Sequence, residues 1–263
     1  MFSINNISII GTGNVAWHLP IALQNAGLTI NQIYGRNELH AKELADSLGV
    51  PYTCDTNTLL KSDAYIFAVS DAAISEILSK HTWNNSLLIH VAGSVNIDVF
   101  EKYSNNCGVM YPLQSFTRGS EMNINGTPFL VEGSTSENQQ TVYDLASRLT
   151  QSVSIVDSAS RLRIHLAAVF ASNYVNYMMG IASQLLEKEQ INANILNPLI
   201  METVKKAMEI GAIKAQTGPA RRNNINTIKK HEHLLEENPD WQKLYTFVAE
   251  NIVKFYQQYD GKL

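Results

Sequence analysis

The amino-acid sequence predicts an α/β fold in which a doubly wound, mainly parallel sheet is followed by a smaller all-α domain. Apolar, strand-like runs alternate with helical patterns through the first half of the 263-residue chain. The runs that begin at Ile7, Ala64 and Leu87 are almost continuously apolar, as expected for parallel strands covered on both faces. Beyond about Val156 only helical patterns remain. This order of elements is typical of a doubly wound domain with a helical extension.

The first domain, residues 1–155, is predicted to contain alternating strands and helices. The strands are expected at Ile7–Ile10, Thr29–Tyr34, Ala64–Val69, Leu87–Val91, Gly108–Tyr111 and Thr127–Val131. The helices between them are expected at Val15–Asn25, Leu39–Leu48, Ala72–Lys80, Ile97–Tyr103 and Asn138–Thr150.

The second domain, residues 156–263, opens with a long helical stretch. Residues 158–190 contain no proline and one glycine, which predicts a single long helix. Because residues 166–181 are highly apolar, we expect a second subunit to cover them, and therefore a homodimer formed through this domain. Further helices are expected at Pro198–Ile210, Ile225–Leu235 and Trp241–Gln258.

Composition argues against several classes of protein. An apolar fraction of 45% and a charged fraction of 17% are typical of a folded globular chain. The net charge of −4 argues against nucleic-acid binding, which needs a basic surface. Residues 164–186 lack charged side chains but contain too many polar groups for a membrane span. The start of the chain does not resemble a signal peptide, and Cys54 and Cys107 fit a reducing compartment, so a cytoplasmic location is expected.

A glycine motif joins the first predicted strand to the first predicted helix. Its GxGxxA spacing is that of a dinucleotide-binding turn of the Rossmann type: one glycine makes the turn, the next admits pyrophosphate, and the third small residue packs the helix on the strand. The same spacing also fits a purely structural turn, but the strand before it and the helix after it favour phosphate binding. The predicted pyrophosphate-binding residues are Gly11, Thr12, Gly13, Asn14, Val15 and Ala16.

The end of the second predicted strand indicates which dinucleotide is bound. An NAD site usually has an acidic residue there for the ribose 2′-hydroxyl, whereas this strand is followed by Arg36 and Asn37. A guanidinium suits a 2′-phosphate, so NADP(H) is the predicted cofactor. Two alternatives stay open: Arg36 as a solvated loop residue, and Glu38 as an acceptor that allows some NAD binding.

Two further strand ends are expected to contact the cofactor and the substrate. Ligands of doubly wound folds bind outside the carboxyl ends of the strands. The ends of the predicted strands Ala64–Val69 and Leu87–Val91 therefore contribute Val69, Ser70, Asp71, Ala92 and Gly93 to the predicted cofactor site, and Ser94 to the substrate site. For Asp71 a helix-capping role is the favoured interpretation. His90 is interpreted as a core histidine rather than a catalytic one.

Polar residues on the long predicted helix are the candidates for catalysis. At 100° per residue, Arg161, His165, Ser172 and Asn176 fall within roughly 60° of one another, with Asn173 at the edge of the stripe. Histidine titrates near neutrality, which suits proton transfer to a reacting heteroatom. The alternative is that these groups bond neighbouring helices or a dimer partner.

A cationic loop follows the Thr217-Gly218-Pro219 break, and Arg222 on it is a candidate for binding an anionic substrate or a cofactor phosphate. A solvated surface loop is the alternative interpretation. His231 and His233 lack metal-site spacing with cysteines or acids, so no metal is predicted.

The chain resembles a known group of proteins in a series of ordered motifs. These motifs are IIGTGNVAWHL, YGRN, AVSDAAI, HVAGS, YPLQSF, HLAAVFASNY and TGPARRNN. They resemble proposed NADP oxidoreductases with an N-terminal Rossmann-like domain and a C-terminal helical domain of unknown function. The helical half is similar to 6-phosphogluconate dehydrogenase and pyrroline-5-carboxylate reductase, and the N-terminal half to deazaflavin-dependent NADP oxidoreductases and ketopantoate reductase. The resemblance implies that His165 and Asn173 face the nicotinamide.

Three positions depart from the pattern of that group. Tyr111 stands before Pro-Leu-Gln where histidine is usual, and Asn224 stands where an aspartate usually ends the loop after Thr-Gly-Pro. An aspartate role at that loop is therefore not expected here. The lysine of related hydroxyacid dehydrogenases is not evident, and Arg161 and His165 lie in the comparable helix region.

The leading hypothesis is an NADP-dependent oxidoreductase acting on a small carbonyl, imine or hydroxyacid. His165 is the expected proton donor or acceptor, and Asn173 and Gln114 are expected to orient the substrate. The residues expected to bind the substrate are Ser94, Gln114, Ser172, Asn176 and Arg222. The alternatives are a non-catalytic NADP(H) sensor or dimeric interaction protein, and a different adenosine-containing ligand in the same fold.

Overall fold

The computed structural model describes residues 4–120 and 122–261. The strands in these residues are β1 Asn6–Ile10, β2 Thr29–Tyr34, β3 Tyr52–Thr53, β4 Ala64–Phe67, β5 Leu87–His90, β6 Cys107–Pro112, β7 Phe129–Gly133 and β8 Val153–Ile155. The α-helices are α1 Asn14–Asn25, α2 Glu38–Leu48, α3 Asp71–Leu78, α4 Ser136–Ser147, α5 Ser158–Ala168, α6 Val175–Lys188, α7 Asn197–Ile210, α8 Ala212–Ala215, α9 Ile225–Leu234 and α10 Pro239–Asp260. Short 3₁₀ helices lie at Thr56–Thr58, Ile97–Phe100, Ile124–Gly126 and Ala193–Leu196.

The strands form one sheet in the order β3-β2-β1-β4-β5-β6-β7-β8. All neighbouring pairs are parallel except β6 and β7, which are antiparallel. The chain winds outward from β1 in both directions, so a crevice opens at the carboxyl ends of β1 and β4. The predicted doubly wound, mainly parallel sheet is confirmed.

Strands β1, β4 and β5 are buried on both faces, as their apolar sequence predicts. Alternate residues of a strand point to opposite faces. Ile66 accordingly packs in the cluster that contains Leu19 of α1, and its neighbour Phe67 packs in the cluster that contains Ile74 of α3. The helices on the two faces therefore hold the central strands, and the crevice at their ends, in place.

The long helix predicted at residues 158–190 is not a single α-helix. It consists of α5, a π-helical segment at Val169–Tyr174, and α6, which ends at Lys188. A π-helix turns less per residue than an α-helix. The wheel that placed Asn176 on the same stripe as His165 assumed 100° throughout, so that alignment is wrong. The predicted helix Ile97–Tyr103 is likewise replaced by a short 3₁₀ helix, Ile97–Phe100.

The chain divides into two compact units by its internal contacts, the first ending at Asn173 and the second beginning at Tyr174. The division falls inside the π-helical segment, whereas the predicted limit at residues 155 and 156 coincides with the end of β8. Within the described residues of the second unit, few apolar side chains are buried; they are Ala220, Ile228, Leu235, Ala249 and Tyr256. No helix in the described part of the chain is both long and apolar enough to cross a membrane.

Candidate active site

A cavity of about 480 Å³ lies at the carboxyl ends of β1, β2 and β4. It brings together most residues of the predicted cofactor site: Gly11, Thr12, Gly13, Asn14, Val15, Arg36, Asn37, Val69, Ser70, Asp71 and Ala92. Ala16 does not line the cavity, because it lies on the buried face of α1 and packs in the main core cluster. Gly93 contacts two aromatic side chains instead, as described below.

The turn at Gly11 fits only a glycine. Its φ is +128°, and a Cβ there would lie 2.3 Å from the carbonyl oxygen of Ala68. The Gly11 amide donates to the Tyr34 carbonyl at 2.8 Å, so the turn is fixed between the ends of β2 and β4. Gly13 precedes α1 without a side-chain cap, and the first turn of α1 has no acidic residue. The N–H groups of that turn are therefore available to an anion, which fits a pyrophosphate.

Arg36 follows β2 at the far end of the cavity. Its side chain is 63% exposed, and Nη1 lies 3.6 Å from Glu76 Oε2. Lys80 Nζ donates to the same carboxylate at 2.6 Å, and this contact lowers the pKa of Glu76. Two cations therefore surround one acid at the position where a 2′-phosphate is expected. The sequence did not point to Lys80, which contacts Glu76 and is not among the residues that line the cavity.

The residues after Arg36 are engaged elsewhere. The Asn37 side chain accepts from the His40 amide at 3.0 Å and caps α2. Glu38 accepts from the Tyr52 hydroxyl at 3.3 Å. These contacts leave Arg36 as the charged side chain of this loop that lines the cavity.

The loop after β5 connects the cavity to the rest of the site. The Ala92 amide donates to His90 Nδ1 at 3.2 Å, and Ser94 Oγ donates to Asp71 Oδ2. Asp71 is the first residue of α3, and the residue in the capping position, Ser70, makes no side-chain cap bond. The favoured interpretation of Asp71 as a helix cap is therefore wrong: its carboxylate binds Ser94 because it starts the helix rather than preceding it.

His165 and Tyr111 form a hydrogen-bonded pair against Gly93. Tyr111 Oη lies 3.0 Å from His165 Nδ1, and the two rings meet edge to face at 77°. A Cβ on Gly93 would lie 2.6 Å from His165 Nδ1 and 2.9 Å from Tyr111 Cζ. Burial raises the pKa of Tyr111. The pair therefore packs against Gly93, the residue that follows Ala92, and Ala92 lines the cavity.

Arg161 is not available to a ligand, although the helix-wheel argument placed it beside His165. Its side chain is 1% exposed and pairs with Glu132 of β7. It also donates to the Val95 carbonyl and, at 3.0 Å, to Ser158 Oγ. Arg161 therefore fixes α5, and with it His165, to the sheet and to the loop after β5.

The remaining predicted residues do not line this cavity. Gln114 is exposed and its side-chain oxygen accepts from the Ser115 amide at 2.9 Å. Ser172 and Asn173 are exposed in the π-helical segment at the end of the first unit. Asn176 and Arg222 are exposed and belong to the second unit. In that unit Arg221 pairs with Asp260 and stacks over Tyr256 at 4.4 Å, so Arg222 is the more accessible arginine of the loop.

Two protein families match parts of the chain. The family described as NADP oxidoreductase coenzyme F420-dependent matches residues 6–93. A domain of unknown function, DUF2520, matches residues 127–252. Coenzyme F420 is a deazaflavin, so these matches confirm the predicted resemblance and NADP(H) as the cofactor type.

Solved structures resemble the chain over nearly its whole length. A proposed NADP oxidoreductase from Bacteroides fragilis is 35% identical, covers 97% of this chain and 100% of its own, and has a TM-score of 0.91. A reductive aminase from Aspergillus terreus in complex with NADPH and ethyl levulinate is 16% identical, with 96% and 94% coverage and a TM-score of 0.69. A pyrroline carboxylate reductase from Plasmodium falciparum with NADP bound is 15% identical, with 98% and 98% coverage and a TM-score of 0.57. The last two share the fold.

A curated relative matches a shorter stretch. Glucose-fructose oxidoreductase domain-containing protein 2 from Xenopus tropicalis is 39% identical over 61 residues, which are 23% of this chain and 16% of that protein. The match is too short to carry over its activity. The identity and full coverage of the Bacteroides fragilis protein, with the two domain matches, show that this chain belongs to the family of NADP oxidoreductases in which a domain of the F420-dependent type is combined with a DUF2520 domain.

Proposed function

We propose that this protein transfers hydride between NADP(H) and a small carbonyl, imine or hydroxyacid substrate, with His165 moving the proton. The observation that carries the proposal is the placement of His165 against Gly93, next to the cavity-lining residue Ala92. A titratable imidazole beside the nicotinamide end of a dinucleotide site suits acid–base chemistry on a reacting heteroatom.

Different groups at the cavity would bind different parts of the cofactor. The first-turn N–H groups of α1 would hold the pyrophosphate, and Arg36 with Lys80 nearby would hold the 2′-phosphate. The bound cofactor supplies or takes up the hydride. In the reducing direction His165 gives its Nε2 proton to the substrate heteroatom and takes up a replacement proton at Nδ1, so the imidazole stays neutral; in the oxidising direction both transfers run in reverse.

The substrate-binding residues are part of the same proposal. Ser94 follows Gly93, the residue that lies against the His165–Tyr111 pair, and its hydroxyl is oriented by Asp71. Gln114, Ser172 and Asn173 are exposed in the first unit and can donate and accept hydrogen bonds. We assign Asn173 and Gln114 to orienting the substrate; a substrate-binding role of Asn176 and of Arg222 stays a prediction from the sequence.

We also propose a homodimer formed through the helical domain. Within the described residues of the second unit, large apolar side chains are exposed, among them Met201, Met208 and Phe247. Exposed apolar surface of this extent is typical of a protein–protein interface. The cytoplasmic location inferred from cysteine usage stays a prediction; both cysteines are free.

The cofactor assignment is tested by titrating the purified protein with NADPH and with NADH. We expect Arg36→Ala to weaken NADPH binding about tenfold or more, because a charge-assisted bond to the 2′-phosphate is lost, and to leave NADH binding unchanged. Arg148→Ala, which removes an exposed arginine at the end of α4, is the matched control.

The catalytic assignment is tested by screening small carbonyls and imines for oxidation of NADPH, with His165→Gln as the comparison. Turnover that is lost in His165→Gln while NADPH binding remains supports the enzyme. NADPH binding with no turnover of any tested compound by the wild type would favour the sensor alternative. Failure to bind either nucleotide would contradict both.

A further inference from the structure

We propose that Tyr111 acts through His165, making Nε2–H the group that faces the substrate, and that the substrate is therefore a carbonyl compound. The proposal rests on the proposed function, because it names the substrate class of the same site. Tyr111 Oη lies 3.0 Å from His165 Nδ1. Since Nδ1 is engaged by Tyr111, Nε2 is the nitrogen left for a ligand.

We assign the Tyr111 phenol as the donor and His165 Nδ1 as the acceptor in the hydrogen bond between them. Among the described residues, His165 Nδ1 is the hydrogen-bond partner of the Tyr111 hydroxyl. Because burial raises the pKa of Tyr111, the phenol keeps its proton in the neutral range. A phenol in this position donates to Nδ1, and a neutral imidazole then carries its hydrogen on Nε2. His165 thus presents a donor to the substrate.

The pair is held in place from three sides. Tyr111 belongs to β6 and pairs with Leu130 of β7 in the sheet ladder. His165 lies one helical turn after Arg161, whose buried ion pair fixes α5 to the same strand β7. Gly93 lies directly against both rings, with no room for a side chain. Tyr111 is therefore a positioning residue, and Gly93 sets the distance at which it works.

An N–H donor at this position discriminates between a carbonyl and a protonated imine, two of the substrate forms left open above. A carbonyl oxygen has lone pairs that accept from Nε2–H, and it gains negative charge as hydride arrives, so the bond strengthens in the transition state. A protonated imine has no lone pair on nitrogen, and its N–H would face another N–H. The geometry therefore favours aldehydes and ketones over iminium substrates.

The orientation of His165 is tested by NMR of the cofactor-free protein with ¹⁵N-labelled histidine at about pH 8, where an ordinary imidazole is neutral. His165→Gln identifies the His165 signals. We expect one protonated nitrogen, Nε2, and one unprotonated nitrogen, Nδ1, at well-separated frequencies. In Tyr111→Phe the two frequencies should move toward each other, because the other tautomer becomes populated. Tyr143→Phe, which removes a hydroxyl on α4, should change neither.

A second variant keeps this test decisive if Tyr111→Phe is unstable. Gly93→Ala places a methyl group against both rings and should give the same spectral change. A hydrogen on Nδ1 in the wild type, or unchanged frequencies in both variants, would overturn the role of Tyr111. This result does not depend on whether NADPH binds.

The substrate class is tested with small aldehydes and ketones and with cyclic imines, each in the presence of NADPH. We expect carbonyl reduction, with kcat lowered about tenfold in Tyr111→Phe and the Kd for NADPH unchanged. Reduction of imines alone would overturn the carbonyl assignment while leaving NADP-dependent reduction intact. Absence of NADPH binding would instead contradict the proposed function.

Discussion

Arg161 and Glu132 form a buried ion pair between α5 and β7, with 1% and 14% of their side chains exposed. Glu132 also accepts from the Ser158 amide at 3.0 Å and from Ser158 Oγ at 2.7 Å. The first turn of α5 is thus attached to the sheet through one carboxylate. Because His165 lies one turn further along, this attachment sets the position of the candidate catalytic residue.

Removing one partner of this pair should destabilise the first unit strongly. Glu132→Gln leaves a buried guanidinium without a counter-ion, for which we expect a loss of about 3 kcal/mol or more in the free energy of unfolding, measured in urea. Glu101→Gln, at an exposed site, is the control and should change little. The double variant Arg161→Met, Glu132→Leu should be more stable than Glu132→Gln; a double variant less stable than the single would contradict this account.

Gly11→Ala should weaken cofactor binding strongly. The new Cβ would lie 2.3 Å from the Ala68 oxygen, at a φ of +128° that side chains rarely adopt, so the turn must move. We expect the affinity for NADPH to fall about a hundredfold and the stability by about 2 kcal/mol. Gly27→Ala is the matched control, since Gly27 also has positive φ but nothing within 4 Å of the added methyl. Equal losses of binding in both variants would show that backbone strain alone is responsible.

Glu76→Gln should strengthen NADPH binding. The ionised carboxylate of Glu76 competes with a 2′-phosphate for Arg36, and its negative charge also repels the phosphate. We expect the Kd for NADPH to fall about two- to fivefold, with NADH binding unchanged, as measured by fluorescence titration. Glu43→Gln removes an exposed carboxylate that pairs with Arg118 instead, and serves as the control. An equal gain for NADH would mean that Glu76 does not act on the 2′-phosphate.

His90 should make the protein less stable in mild acid. Burial, with a smaller contribution from the Arg161 charge, lowers the pKa of His90 to about 3. Below the ordinary value of 6.5 the unfolded chain takes up a proton that the native protein does not. The free energy of unfolding should therefore fall as the pH falls, by about 1.4 kcal/mol per unit between pH 6.5 and pH 3 for this group.

Urea unfolding of His90→Asn measures this contribution. Asparagine can accept the Ala92 amide bond in place of His90 Nδ1 but does not titrate. Between pH 6.5 and pH 5 the variant should lose about 2 kcal/mol less than the wild type. His233→Asn, at a side chain 77% exposed, is the control. Identical pH profiles for His90→Asn and the wild type would rule out the buried neutral histidine.

Met201 and Met208 should lie in the proposed dimer interface. They are seven residues apart on α7, and therefore on one face, and their side chains are 69% and 82% exposed. Light scattering should give twice the chain mass for the wild type and a shift toward the single chain for Met201→Glu. Lys206→Glu, on another face of α7, should remain dimeric. A wild-type protein that is monomeric at micromolar concentration would contradict the dimer.

The parts of the fold that could be predicted are those marked by a local pattern of consecutive residues. The apolar runs of β1, β4 and β5 and the Gly11–Ala16 spacing carry their own signal. Strands β3 and β8 have two and three residues and were missed, because so short a run has no periodicity. The sheet class followed from the alternation of elements, but the antiparallel β7 did not.

The contacts of the site depend on tertiary structure, which single-residue patterns do not record. Tyr111 and His165 are 54 residues apart in the chain, and nothing local marks them as partners. Asp71 looked like a cap because capping is the commonest role of an acid near a helix start. The stripe on the long helix failed because the π-helical segment changes the angle per residue after Ala168.

The sheet ends on each side in a short strand, β3 on one side and β8 on the other. An edge strand exposes unpaired N–H and C=O groups that can template a further strand from another molecule. Here the edges offer two and three residues. Such short edge strands disfavour β-augmentation, although β3 pairs with only two of the six residues of β2, so we expect assembly of this protein to use side-chain surfaces.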